Sequence, residues 1–227
     1  MLNSSGKSLT IDEALQKSFP GLEVIELRIE GISVKERDES LEAFKPFVQQ
    51  KVRGIFGSLE QIRDHSIFRT YRDFFWRVGI DPTKTRPASE ALTRRIIGGK
   101  DLPTINTLVD AYNLASVETS VAIAAFDLGS ISGTDLFMRK ATMGERFLGI
   151  GMKSEMSLTG IEVVIEDLGT NRLIAIYPYR DSDDSKVTLQ TREVLLMMCG
   201  VPGLPRETLV EAEKLSREFV TRFCSNQ

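Results

Sequence analysis

The chain has one histidine, two cysteines and one tryptophan among 227 residues, and each shortage removes a class of chemistry. With His65 the only imidazole, and with Cys199 and Cys224 lacking metal-ligand spacing, a structural zinc site is not expected. No Ser-His-Asp triad or Cys-His pair can be drawn, so an imidazole-activated protein nucleophile is not expected either. No stretch approaches the roughly 18 to 20 uninterrupted apolar residues of a membrane span, and Met1 to Thr10 lacks the apolar centre of a signal peptide. The expectation is a cytoplasmic protein with no cofactor, no metal and no membrane contact. Repeats, low-complexity tracts and linkers rich in Gly, Pro or Ser are missing too, which points to a single domain over residues 1–227.

Positive charge is slightly outnumbered overall, 29 Lys and Arg against 32 Asp and Glu, yet concentrated locally. A formal net charge of −3 argues against a protein that coats nucleic acid without selectivity. Between Ser66 and Lys100, however, Arg69, Arg72, Arg77, Lys84, Arg86, Arg94, Arg95 and Lys100 face only Asp73, Asp81 and Glu90. A basic segment on an acidic protein suits contact with a short stretch of phosphate backbone.

Periodicity gives the elements. Leu22 to Ile29 alternates as a strand closing at Gly31. Asp38 to Val52 has helical spacing, with Pro46 placed to split it. Phe68 to Val78 sets Tyr71, Phe74, Phe75 and Val78 against Arg69, Arg72 and Arg77, an amphipathic helix ended by Gly79-Ile80-Asp81-Pro82. Phe74, Phe75 and Trp76 cannot all reach one core, so two are expected inside and one free. Pro87 opens a helix that Gly98-Gly99 stops, and Leu102-Pro103-Thr104 opens another with Ile105, Leu108, Val109 and Tyr112 on its buried side. Short strands are then read at Val121 to Phe126, Asp135 to Arg139, Gly160 to Glu166 and Arg172 to Tyr177. Thr191 to Met198 and Pro205 to Phe223 read as helices, which makes Cys199 a reduced core residue on an apolar helical run. The sum is an α+β domain with helices packed on a mixed sheet.

One ordered set of residues carries more than any single motif. Leu92, Arg95, Ile105-Asn106, Val109-Asp110, Asn113, Phe126-Asp127-Leu128, Arg139, Gly144-Glu145, Asp167, Ser185-x-Val187 and Thr191 stand in an order that resembles the B3/B4 editing domain of the phenylalanyl-tRNA synthetase β-subunit. The resemblance is strongest over 66–199. It implies a B3/B4-like fold and aminoacyl-tRNA as the partner, with Asp183, Asn113, Asp127, Ser185 and Thr191 around the bound amino acid. Lys84, Arg86, Arg94 and Arg95 would hold the tRNA. The implied activity is hydrolysis of mischarged aminoacyl-tRNA in trans by a freestanding domain. The alternative is a noncatalytic module that binds tRNA or an amino acid, with a synthetase as a partner.

Departures from the family pattern sharpen the expectations. Where that pattern has His-Ala-Phe-Asp, this chain has Ala124. Its Gly-Gly pair becomes Asp181-Ser182, and its substrate-reading acid falls on Asp183. Asp181 and Asp184 read as members of a solvated charged loop. Asn106, Asp110 and Asn113 share a helix face and serve either neighbouring strands or a ligand. Arg139 and Glu145 read as a salt bridge fixing a hairpin. His65 reads as a helix cap or solvated side chain.

Overall fold

A computed structural model describes residues 9–132 and 134–225. In chain order the elements are β1 (Leu9–Ile11), α1 (Glu13–Ser18), β2 (Glu23–Glu30), α2 (Glu39–Ile55), α3 (Leu59–Asp64), α4 (Ser66–Arg77), α5 (Ala88–Ile97) and α6 (Thr107–Thr119). There follow β3 (Ile123–Asp127), β4 (Leu136–Lys140), β5 (Arg146–Phe147), β6 (Met156–Ser157), β7 (Val163–Asp167), β8 (Arg172–Ile176), β9 (Arg180–Asp181), a 3-10 turn (Asp183–Ser185), β10 (Glu193–Gly200) and α7 (Arg206–Cys224).

Two sheets organise the chain. One is three-stranded with order β2-β10-β3, all antiparallel. The other is five-stranded with order β1-β4-β7-β8-β9, mixed because β1 runs parallel to β4. The alternation of β10 explains the layering. Leu195, Met197 and Cys199 enter one core with Phe126, Ile165, Ile176 and the α4 side chains Tyr71, Phe74 and Phe75. Val194, Leu196 and Met198 enter the other with Leu41, Val48, Leu108, Leu114, Leu209 and Phe219 from the helices. A strand buried on both faces reads as an unbroken apolar run rather than an alternation. That is why Thr191 to Met198, expected as a helix, is the central strand β10, and why Cys199 lies buried and free on a strand.

The helices follow their signals with local corrections. Asp38 caps α2 by accepting the Ser40 and Leu41 N–H groups, and Pro46 sits inside one continuous helix without splitting it. Burying Leu41, Val48 and Val52 is worth about 1.5–3 kcal/mol per side chain, enough to outweigh one lost backbone hydrogen bond. Helix α6 starts at Thr107 because Asn106 accepts the Val109 N–H as its cap, leaving Leu102 to Ile105 in the approach and Ile105 exposed. Of the aromatic run, Phe74 and Phe75 are buried and Trp76 is 56% exposed. His65 stands at the α4 cap position without making a cap bond. Its ring packs against Phe56 and Phe68, and burial lowers its pKa.

Candidate functional site

The two sheets end on facing edge strands, β9 and β3. An edge strand has unpaired N–H groups, and one of these, on Ala125, is taken by the Asp181 carboxylate at 3.2 Å. Beside this seam lies a cavity of about 180 Å³. Its walls include Ala88 at the start of α5, Tyr112 and Asn113 on α6, Ala122 to Ala124, Ile176 to Asp181 and Cys199. The small side chains Ala88, Ala122, Ala124 and Ala175 keep it open.

Asp181 is the chemically distinctive group. The surrounding protein strips water from its carboxylate and pushes its pKa up to about 7, although the Ala125 N–H favours the charged form. Tyr112 and Cys199, the other acids around it, are also raised by burial and by its charge. The floor is fixed by two tyrosine hydroxyls. Tyr71 Oη donates to the Cys199 carbonyl at 2.5 Å and accepts the Ala122 N–H at 3.1 Å. Tyr177 Oη donates to the Gly200 carbonyl at 2.7 Å.

The expected substrate residues divide. Asn113 lines the cavity. Asp183 does not: its backbone N–H donates to Leu148 and its carboxylate pairs with Lys186 at 2.8 Å. Asp127 accepts from Thr191 Oγ1 at 3.0 Å and from the Gly129 N–H at 3.0 Å, so both residues brace the end of β3. Ser185 is buried in the 3-10 turn against the Ser182 carbonyl. The acid in the cavity is therefore Asp181 rather than Asp183. The chain reverses in the turn at 177–179, and β9, antiparallel to β8, sets Asp181 opposite Ala175 of the cavity wall before the 3-10 turn carries Asp183 away. The signal in the sequence was only the Tyr177-Pro178 turn just ahead of it, next to a charged run.

Other motif residues are structural. Asp110 accepts from buried Lys45 Nζ at 2.7 Å and from the Ile105 N–H at 3.0 Å. With Asn106 spent on its cap, Asn113 is left as the member of that face open to a ligand. Arg139 makes a two-pronged pair with Glu145, at 2.6 and 2.9 Å, and holds Glu166 at 2.8 Å, the expected hairpin clamp. Asp167 collects the Ser132 and Gly169 N–H groups and the Thr170 hydroxyl at the β7–β8 turn.

The basic residues also divide. Lys84, Arg86 and Arg95 are exposed, and Arg86 lies two residues before Ala88 of the cavity wall. Arg94 is committed inward. Its Nε donates to Glu90 at 2.8 Å while Arg72 holds the same carboxylate at 2.7 Å, and Glu90 is 1% exposed.

A family model described as "B3/4 domain" matches residues 70–223, a span that includes the cavity residues from Ala88 to Cys199. The chain belongs to the B3/4 domain family. Over 92 residues this B3/4 chain is 29% identical to the phenylalanine–tRNA ligase beta subunit of Symbiobacterium thermophilum and 30% identical to that of Bdellovibrio bacteriovorus. Each match covers 40% of this chain, and 10% and 11% of those two proteins respectively. The chain thus aligns with about a tenth of the length of these curated relatives. The N-terminal fragment of the phenylalanyl-tRNA synthetase beta-subunit from Pyrococcus horikoshii aligns over 96% of this chain and 51% of its own, at 16% identity and a TM-score of 0.49. Among the described residues no helix of this B3/4 protein is long and apolar enough to cross a membrane.

Proposed function

We propose that this B3/4 protein acts on aminoacyl-tRNA in trans in the cytoplasm, hydrolysing the ester that joins a wrong amino acid to the tRNA. The observation that carries this reading is Asp181, a carboxylate with a pKa of about 7 on the wall of a small cavity within the family span. A general base works best when its pKa lies near the working pH. Deprotonated Asp181 accepts a proton from water as that water attacks the ester carbonyl, and returns it to the ribose oxygen as the C–O bond breaks. The Asn113 amide orients the substrate. Lys84, Arg86 and Arg95 hold phosphates outside the cavity mouth, and the activated ester needs no protein nucleophile.

A second reading rests on Ala124, which puts a methyl group on the cavity wall where the family pattern has histidine. In that reading the site binds tRNA or an amino acid without turnover, with a synthetase as a partner. Deacylation of a panel of labelled mischarged tRNAs by the wild-type protein and Asp181→Asn decides between them. Turnover of a subset that disappears in the variant supports the hydrolase. Absence of turnover with tRNA still bound supports the binding module.

A further inference from the structure

A second cavity, of about 200 Å³, shares Ile176 and Tyr179 with the one that holds Asp181. Its other walls include Gly79 and Thr85 from the loop between α4 and α5, Met156 from β6, and Glu162 just ahead of β7. The hydrolytic reading gives it no task. Its loop wall is held by the protein alone. Asp81 accepts the Thr83 N–H at 2.9 Å through its carboxylate and the Thr85 N–H at 2.9 Å through its carbonyl, and the Ile80 N–H reaches the Phe75 carbonyl at 2.9 Å. Gly79 sits at φ +77°, where a Cβ would lie 2.3 Å from Ile161 Cδ1. Thr85 lines this cavity and Ala88 the other. Three residues span at most about 11 Å, a gap that one nucleoside bridges. A nucleotide whose ribose carries an ester into the first cavity therefore has its base at the second.

Size and lining identify the base. The volume is below the roughly 300 Å³ at which drug-sized ligands begin, which leaves room for one planar ring system. Tyr179 offers an aromatic wall and Ile176 and Met156 apolar ones, the kinds of surface that hold an unstacked base. Glu162 is a buried acid, 7% exposed. Its carboxylate accepts the Thr159 N–H at 3.0 Å, the Thr159 hydroxyl at 2.9 Å and the Gly160 N–H at 3.1 Å. Two carboxylate oxygens have about four acceptor sites, so three donors leave one for an amino group in the cavity. A base carbonyl placed there would meet a carboxylate or an apolar wall and stay unpaired. Adenine has an exocyclic amino group and no carbonyl.

We propose that this second cavity is a nucleobase subsite, taking the adenine of the nucleotide that bears the aminoacyl ester, stacked on Tyr179 with its amino group on Glu162. The proposal rests on the reading of the Asp181 cavity as the ester site and adds what positions the ester there. Exposed Lys84, at the rim, is left for the phosphate of the same nucleotide.

The test is calorimetric titration of the intact protein with four tetranucleotide RNAs that differ only in the 3′-terminal base: adenine, unsubstituted purine, hypoxanthine or uracil. The adenine RNA is expected to bind tenfold or more tightly than the other three. In Glu162→Gln the turn N–H groups hold the amide oxygen and the amide NH₂ faces the cavity, so the preference is expected to pass from adenine to hypoxanthine, which has a carbonyl in place of the amino group. A misfolded variant cannot gain a ligand in this way. Met156→Trp, which fills the cavity without touching the Glu162 turn, is expected to abolish the adenine preference and guards against misfolding of the glutamine variant. Equal binding of the adenine and purine RNAs by the wild type, no binding of any of the four, or an adenine preference kept in either variant overturns the proposal. Deacylation of mischarged tRNA by the same wild-type sample separates the two readings. Turnover without adenine preference leaves the hydrolase and removes the base subsite. Adenine preference without turnover keeps the subsite and assigns the Asp181 cavity to the binding module.

Discussion

Asp181 and Ala125 join the two sheets: a carboxylate on the edge of one accepts a backbone N–H on the edge of the other at 3.2 Å. The contact gives the acid one hydrogen bond where water would give several, and burial outweighs it. The titratable and charged groups that line the same cavity are Tyr112 from α6, Cys199 from β10, and Tyr177, Tyr179 and Arg180 from the β8–β9 hairpin. Tyr112 and Cys199 are pushed up by burial, away from neutrality. Asp181 is therefore the group expected to set the pH dependence of the wild-type reaction, with the deacylation rate rising through about pH 7 to a plateau. Asp181→Asn should lower kcat by about 10²-fold and flatten that profile. An unchanged profile in the variant would sink the assignment of Asp181 as the base.

The same shift has the opposite sign in stability. Unfolded, the carboxyl titrates near 3.8; folded, near 7. Between those values the folded state holds a proton that the unfolded state has lost, so stability falls as pH rises through this window. The contribution is on the order of a few kcal/mol, at 1.36 kcal/mol per unit. Asp181→Asn should be more stable than wild type at pH 8 and closer to it at pH 4. Urea midpoints at the two pH values check this.

Much of the fold could be read in advance because it rests on local signals. The spacing in α2, α4, α5 and α7 and the alternation in β2 and β8 were enough to find those elements. What failed was long-range. Val194 to Met198 is apolar at every position, a pattern shared by buried helices and central strands, and only its pairing with both β2 and β3 decides. Asn113 was legible because helix α6 fixes its direction. Asp181 was not, because in sequence it is one of three acids within four residues. Its burial comes from an edge strand 56 positions away.

Arg94 and Arg86 should behave differently despite equal charge. Arg94→Glu removes one of two arginines from a buried carboxylate and adds a like charge beside it. That should cost about 3–5 kcal/mol of stability, so any loss of tRNA binding there reports misfolding. Lys84→Glu/Arg86→Glu touches exposed groups and should leave the unfolding midpoint within about 0.5 kcal/mol of wild type. It should weaken aminoacyl-tRNA binding and lower the slope of log K against log salt by roughly 1 to 2, one contact per lysine or arginine lost. A wild-type salt slope in this variant would remove these residues from the tRNA interface.

The pair of Lys45 and Asp110 tests whether the family's Asp-x-x-Asn helix is built for structure on one side and ligand on the other. Lys45 Nζ sits 2.7 Å from Asp110 and 2.5 Å from Glu42, and it donates to Thr104 Oγ1 at 3.0 Å. Lys45 and Asp110 are both buried. Removing one partner strands the other charge, so Lys45→Met should cost about 3–5 kcal/mol, while Lys45→Met/Asp110→Leu should recover part of that loss. The recovery will be incomplete because Asp110 also holds the Ile105 N–H at 3.0 Å, fixing the approach to α6. One turn further on, Asn113→Ala removes a cavity-lining amide and should change stability little while raising KM for the ester. If Asn113→Ala instead destabilises as much as Lys45→Met and leaves KM unchanged, the whole helix face is structural and Asn113 leaves the site.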